Sequence, residues 1–219
     1  MFMRTALETT STLHRRLRPP RQVRSRESQE RVLNAFAAML AEEPFEKITM
    51  ADLVRRARVA VTSIYARFED KRALVLALHE RHFEETLRNM DTLLDPDRWE
   101  GADLETVVRA VVTSIVRRLL PRAHLLRAAL LVNDRDVETR VAELMRHGSE
   151  GLAALLRPRL RHLQPRDRDR AVDFASRAVL AVVQQRLLFP TAEPGRYRLS
   201  DSELTRRLGA LFLAILRNP

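Results

Sequence analysis

From Glu27 onward the apolar residues recur every three or four positions, and this spacing restricts the fold more than any other feature. Val32, Leu33, Phe36, Met39 and Leu40 share one side of a helix that must break near Pro44. No sustained period-two run and no Asn-Gly or Asp-Gly hairpin pair appears. The pattern predicts an all-α protein of about nine helices. Thr49-x-x-Asp52 is a capping-box-like start for a short second helix, and a third runs from Val61 to Arg67. Asp70 can cap a long fourth helix from Lys71, with Leu76, Phe83, Leu87, Met90 and Leu94 as its stripe. Residues 95–101 read as a loop. Helices are expected over 103–120, from Pro121 to Val132, over 136–162 with a bend near Gly148 and Pro158, and over 166–189. Thr191 to Leu199 reads as a loop, and Ser200-x-x-Glu203 opens a final helix to Arg217.

Charge narrows the partners. The chain carries 39 Lys+Arg against 29 Asp+Glu, a formal net charge of +10. Only Lys47 and Lys71 are lysines. Such a balance favours nucleic acid first and acidic membrane surface second, although arginine-heavy usage also follows from a GC-rich coding sequence. Seven arginines fall between Ser11 and Arg31, around Pro19 and Pro20, against Glu27 and Glu30. Residues 1–24 are therefore expected to form an extended basic arm, either lying on DNA or simply solvated. The absence of cysteine excludes a disulfide scaffold and a Cys-ligated metal site. The longest apolar run, Leu208 to Leu216, is too short to span a membrane, and the first residues lack the apolar core of a secretory signal. A cytoplasmic protein with no membrane partner is expected.

The informative stretch runs from Ile48 to Leu74. Two short helices joined by a tight turn match a helix-turn-helix, whose second helix enters the major groove. Leu53, Ala57, Val59, Ile64 and Phe68 are the expected inner core, packed on the Val32 and Phe36 side of the first helix. The outer side of the third helix keeps Val61, Thr62, Ser63, Tyr65, Ala66 and Arg67. Hydroxyls and Arg can bond phosphates or base edges, and Val and Ala can touch thymine methyls.

This segment resembles the DNA-binding domain of the tetracycline-repressor (TetR) family. The matching residues are Thr49, Leu53, Ala57, Val59, Ser63, Ile64, Tyr65, Phe68, Lys71 and Leu74, at the family spacing without gaps. The resemblance covers about residues 28–75. It implies phosphate contacts from Thr49, Tyr65 and Lys71, base contacts from Val61 and Thr62, and a base or phosphate contact from Ser63. Arg67 replaces the family's His or Tyr and can reach a phosphate. Three departures stand out: Arg58 replaces the turn Gly, Ala60 the Ser cap, and Thr62 the small Gly of the recognition helix. A left-handed Arg58 costs about 1–2 kcal/mol, a cost that a phosphate contact by its side chain can offset.

The expected organisation is an arm over 1–24, a DNA-binding domain over 25–72 and a ligand-binding and dimerisation domain over 73–219. The last two helices are apolar beyond one stripe, through Val172, Phe174, Ala175, Val179, Val182, Val183 and Leu187, then Leu204, Leu208, Leu211, Phe212, Ile215 and Leu216. The outer side of such a pair suits a homodimer interface, the alternative being an internal core. The resemblance implies a regulator, most often a repressor, that binds a pseudo-palindromic operator in double-stranded DNA and is released by a mostly apolar small-molecule effector. Phe83, Leu87, Met90, Leu131, Met145 and Phe174 are candidates to line its site, or plain core. His79 and His82, with Glu80, Glu84 and Glu85, read as a hydrated helix side rather than metal ligands. No catalytic spacing, metal set or cofactor motif stands out, and no enzyme activity is expected. The competing reading is an architectural protein that coats DNA with little sequence preference.

Overall fold

The computed structural model describes residues 23–189 and 195–218, with side chains from Arg26 onward. The arm expected over 1–24 lies almost wholly outside the described residues. Among those residues there are nine α-helices and no strand. They are α1 (Val23–Glu42), α2 (Met50–Ala57), α3 (Val61–Tyr65), α4 (Lys71–Leu94), α5 (Leu104–Leu119), α6 (Ala123–Val132), α7 (Arg135–Leu156), α8 (Pro165–Leu188) and α9 (Asp201–Arg217). Single 3₁₀ turns occupy Pro96–Trp99, Leu120–Arg122 and Arg157–Arg159. Each holds a proline in its first two positions, where the missing N–H costs nothing.

Side-chain caps set most helix starts. The Thr49 hydroxyl accepts the Asp52 N–H at 3.1 Å, Asp70 accepts that of Ala73 at 2.8 Å, and Ser200 accepts that of Glu203 at 3.2 Å. Asp103 accepts the Thr106 N–H at 2.7 Å. A side-chain bond to Thr106, and then that backbone bond, hold its carboxyl below the usual carboxylate range.

The contacts group the chain into two compact units. The first takes residues through Glu84 together with His124–Arg140; the second takes Glu85–Ala123 and Val141 onward. In the first unit Val32, Phe36, Leu53, Ala57, Val59, Ile64 and Phe68 are all buried, as the periodicity requires. Nearly every residue of α4 from Ala73 to Phe83 is buried as well. This corrects the single-stripe reading of the fourth helix, and with it the hydrated side assigned to His79 and His82. His79, Glu80 and His82 are all buried, because this length of α4 is enclosed at nearly every position. Arg140, from the start of α7, bonds the Glu80 carboxylate and lies 4.2 Å over the Phe83 ring.

In the second unit α5, α8 and α9 pack against one another. Val107, Val108, Val111, Val112 and Val116 of α5 meet Val172, Val179 and Val183 of α8 and Leu204, Leu208, Phe212 and Leu216 of α9 as one valine- and leucine-rich core. The loop after α4 is pinned rather than open. Trp99 is buried and its indole N–H donates to the Leu93 carbonyl at 2.7 Å, while the Arg159 guanidinium donates to the carbonyls of Trp99 and Ala102. Gly148 does not bend α7, which continues to Leu156. Its hydrogen instead faces Met90: a Cβ there would lie 3.1 Å from the Met90 sulfur, and one at Gly151 would lie 2.8 Å from Leu94. The two glycines let α7 approach the end of α4 closely.

Candidate nucleic-acid interface

The first unit displays the turn expected from the sequence. α2 ends on Arg58, which is left-handed with φ 51° and ψ 47° and donates its backbone N–H to the Val54 carbonyl at 3.1 Å. A non-glycine residue in this conformation crowds its own Cβ against the following carbonyl. Ala60 then precedes α3 with no side-chain cap, so the Ser63 and Ile64 N–H groups reach back only to the Ala60 carbonyl. α3 is held from beneath instead: Ile64 and Phe68 are fully buried against the core. Both departures from the family pattern thus fall where backbone geometry makes them costly.

What remains outward is a compact display. Val61 is 49% exposed and Tyr65 51% exposed. Thr49, Arg58 and Thr62 are exposed too, and Ser63 is half-buried. No hydrogen bond or ion pair of the Arg58 guanidinium occurs among the described residues. An exposed β-branched methyl pair, two hydroxyls, a phenol and an unpaired guanidinium on one turn and one helix suit base edges and phosphates. Arg67 is half-buried and already engaged within the protein.

The resemblance implies a phosphate contact from Lys71; in the structure its side chain is engaged within the protein. Its ammonium donates to the carbonyls of Phe45, Glu46 and Ile48, at 3.1, 3.4 and 2.8 Å, and sits 4.8 Å from the centre of the Phe45 ring. All three protons are thereby directed at the loop between α1 and α2. Lys71 clamps that loop, and with it the Thr49 cap. No signal short of the tertiary arrangement reveals this, since the partners are 23 to 26 residues away. α2 is further tied down by Arg56, which pairs with Glu42 of α1 and lowers the Glu42 carboxyl.

The six candidate ligand-site residues are not brought together. Met90 and Met145 line an apolar cavity of about 160 Å³ in the second unit, with Leu94, Ile115, Leu144, Leu152 and Leu180. Leu87 is half-buried outside that lining. Phe83 is core of the first unit beneath Arg140. Leu131 and Phe174 are 59% and 62% exposed, because each falls on the outward side of its helix. Among the described residues no three His, Asp or Glu side chains converge to hold a metal ion, and no helix is long and apolar enough to cross a membrane.

A short helix, a tight turn and a second short helix, on a buried core shared with the helices either side, define a helix-turn-helix protein. Residues 32–78 match the family model described as bacterial regulatory proteins, tetR family. An HTH-type transcriptional regulator of Mycobacterium tuberculosis is 27% identical over 82 residues, which is 37% of this chain and 40% of that protein. The matched segment therefore spans about two-fifths of such relatives. The fold likeness extends much further. A TetR-family regulator from Mesorhizobium loti superposes with a TM-score of 0.65 at 17% identity, over 90% of this chain and 98% of the other. A transcriptional regulator from Cytophaga hutchinsonii gives 0.60 at 18% identity, over 86% and 96%. Residues 32–78 are thus similar to the DNA-binding segment of the tetR family of bacterial regulatory proteins, and the fold of the rest is like that of solved regulators.

Proposed function

We propose that this chain is a homodimeric transcriptional repressor that reads a pseudo-palindromic operator and is released by a small-molecule effector. The observation that carries the proposal is the exposed surface of Arg58, Val61, Thr62 and Tyr65 on a helix-turn-helix whose inner side is fully buried. Val61 and Thr62 face bases; Thr49, Ser63 and Tyr65 hold phosphates; Arg58 adds a phosphate contact at the turn. Lys71 acts through the loop it clamps.

Dimer formation is supported by the outward sides of α8 and α9. Phe174 and Leu188 on α8, and Leu211 on α9, remain exposed although the inner sides of both helices are filled. Two copies related by a two-fold can bury these residues in a four-helix contact, and half-sites would then lie about 34–36 Å apart or a multiple of that. The apolar cavity beside Met90 and Met145 is the effector site. Effector release needs the ligand to favour one dimer state over another by a few kcal/mol. α4 contributes residues to both compact units and is the element through which such a preference passes. The protein acts where DNA is, in the cytoplasm, with no catalytic role.

The test is fluorescence anisotropy at about 150 mM salt with the DNA flanking its own gene and a shuffled duplex. A preference of about 10³ or more, saturating at one dimer per site, is expected. Equal affinity for every duplex tried, falling with log salt at about −0.9 per neutralised phosphate, would establish the architectural alternative instead.

A further inference from the structure

We infer that the cavity of the second unit takes a small organic monocarboxylic acid, its apolar group inside and its carboxylate on Arg118. The inference rests on the reading of that cavity as the effector site and names the chemistry of the effector. The cavity is walled chiefly by aliphatic and thioether side chains, and Arg118 is the one charged residue in its lining. Asn89 and Ser114 join Arg118 in that wall. On the outer side a groove of about 980 Å³ shares Asn89, Leu93, Ser114 and Arg118 with the cavity, so a polar groove meets an apolar chamber at this guanidinium.

Arg118 is half-buried, and its Nε donates to the Ser114 hydroxyl at 3.2 Å. No carboxylate of the described residues pairs with it. Its neighbours differ. Arg122 is paired with Glu85 at 2.8 Å, and Arg109 with Glu105. A half-desolvated guanidinium held by one hydroxyl leaves its two terminal nitrogens free to take an outside acceptor, and their fork matches a carboxylate. The groove reinforces this sign. It is bordered by five arginines and by only two acids, Asp103 and Glu105. Within the chamber wall itself Arg118 is the one charged group, and a single guanidinium there balances a single negative charge, as a monocarboxylate carries. The chamber fixes the tail. At about 160 Å³ it is close to the ~150 Å³ of a cavity that holds one benzene ring. An aryl ring or a branched chain of similar bulk fits, and Met90 and Met145 can adapt to either.

The test uses the full-length protein, calorimetry, and the emission of Trp99, its single tryptophan, which borders the groove. The probes are phenylacetate, phenylacetamide and phenyl phosphate. Phenylacetate is expected to bind at one per chain, at least tenfold more tightly than the equally shaped neutral amide. Arg118→Gln is expected to abolish the preference for acid over amide, and Arg118→Lys to keep part of it; melting curves confirm that both variants are folded. Gly148→Val, which pushes Met90 into the chamber, is expected to weaken acid and amide alike.

Equal binding of acid and amide by the natural chain overturns the inference and leaves a neutral apolar effector. A preference for phenyl phosphate overturns it in favour of a phosphorylated ligand. Absence of binding by any probe up to about 10 mM overturns it outright. A preference that survives Arg118→Gln removes Arg118 as the carboxylate's partner. Operator release is measured separately. Phenylacetate that binds as described but leaves the operator complex intact keeps the ligand assignment and removes the effector role.

Discussion

Replacing Arg58 by glycine tests two properties of one residue that act in opposite directions. The backbone of Arg58 sits at φ 51°, ψ 47°, where a side chain costs about 1–2 kcal/mol and glycine costs none. Glycine also gives the unfolded chain more freedom, which takes back about 0.4–1 kcal/mol. The net expectation for Arg58→Gly is a gain of about 1 kcal/mol, or about 2–4 °C in melting temperature for a chain of this length. The N–H bond to the Val54 carbonyl survives the change, because it belongs to the backbone. Operator binding should move the other way. Loss of one phosphate contact from each protomer of the dimer lowers the slope of log affinity against log salt by about 1.8. Arg58→Asn separates the two effects: asparagine tolerates the left-handed region but carries no charge, so stability is nearly kept while the salt slope still falls. The assays are thermal melting and a salt series of anisotropy titrations. A melting temperature lowered by glycine would refute the strain argument. An unchanged affinity and salt slope would refute the phosphate contact.

Three further outcomes follow from the same geometry. Burial, then the nearby His82 and Arg140, pushes the His79 imidazole down to about 4, with Asp134 opposing. The native state therefore binds fewer protons than the unfolded chain below pH 6.5, and stability falls as pH drops toward 4. About 2 kcal/mol should be lost between pH 7 and 5, and urea titrations of His79→Gln at both pH values should show a smaller loss. Lys71→Met should cost about 2 kcal/mol and speed amide exchange across residues 45–49, since three carbonyls lose a charged donor; unchanged exchange there would sink the clamp. Phe174→Glu combined with Leu211→Arg should give a monomer by sedimentation without lowering helix content, because both side chains are exposed in the single chain; a persistent dimer would place the interface elsewhere.

Much of this was legible in the chain itself, and the reason is range. Helix spans, the caps Thr49, Asp70 and Ser200, and the core from Val32 to Phe68 depend on neighbours within one or two turns. The helix-turn-helix was readable for the same reason, since its Arg58 turn and the buried Leu53, Ile64 and Phe68 are set by local spacing. Periodicity failed where a helix is surrounded. α4 is buried at nearly every position from Ala73 to Phe83, so its polar His79, Glu80 and His82 looked like a solvent face and are core. It failed again for the ligand site, where an apolar residue on a helix looks the same whether it points inward, as Met90 does, or outward, as Phe174 does.

Local chemistry alone dictates an all-helical chain with a helix-turn-helix, because caps, breakers and three-to-four spacing act through the nearest bonds. The roles of the long-range partners come from packing. It spends Lys71 on a loop 23 residues away, pairs Glu80 with Arg140 across 60 residues, and leaves Arg118 without a carboxylate at the mouth of an apolar chamber. Those assignments turn on which side chains meet after the helices pack, and packing sums many weak contacts that no local pattern encodes.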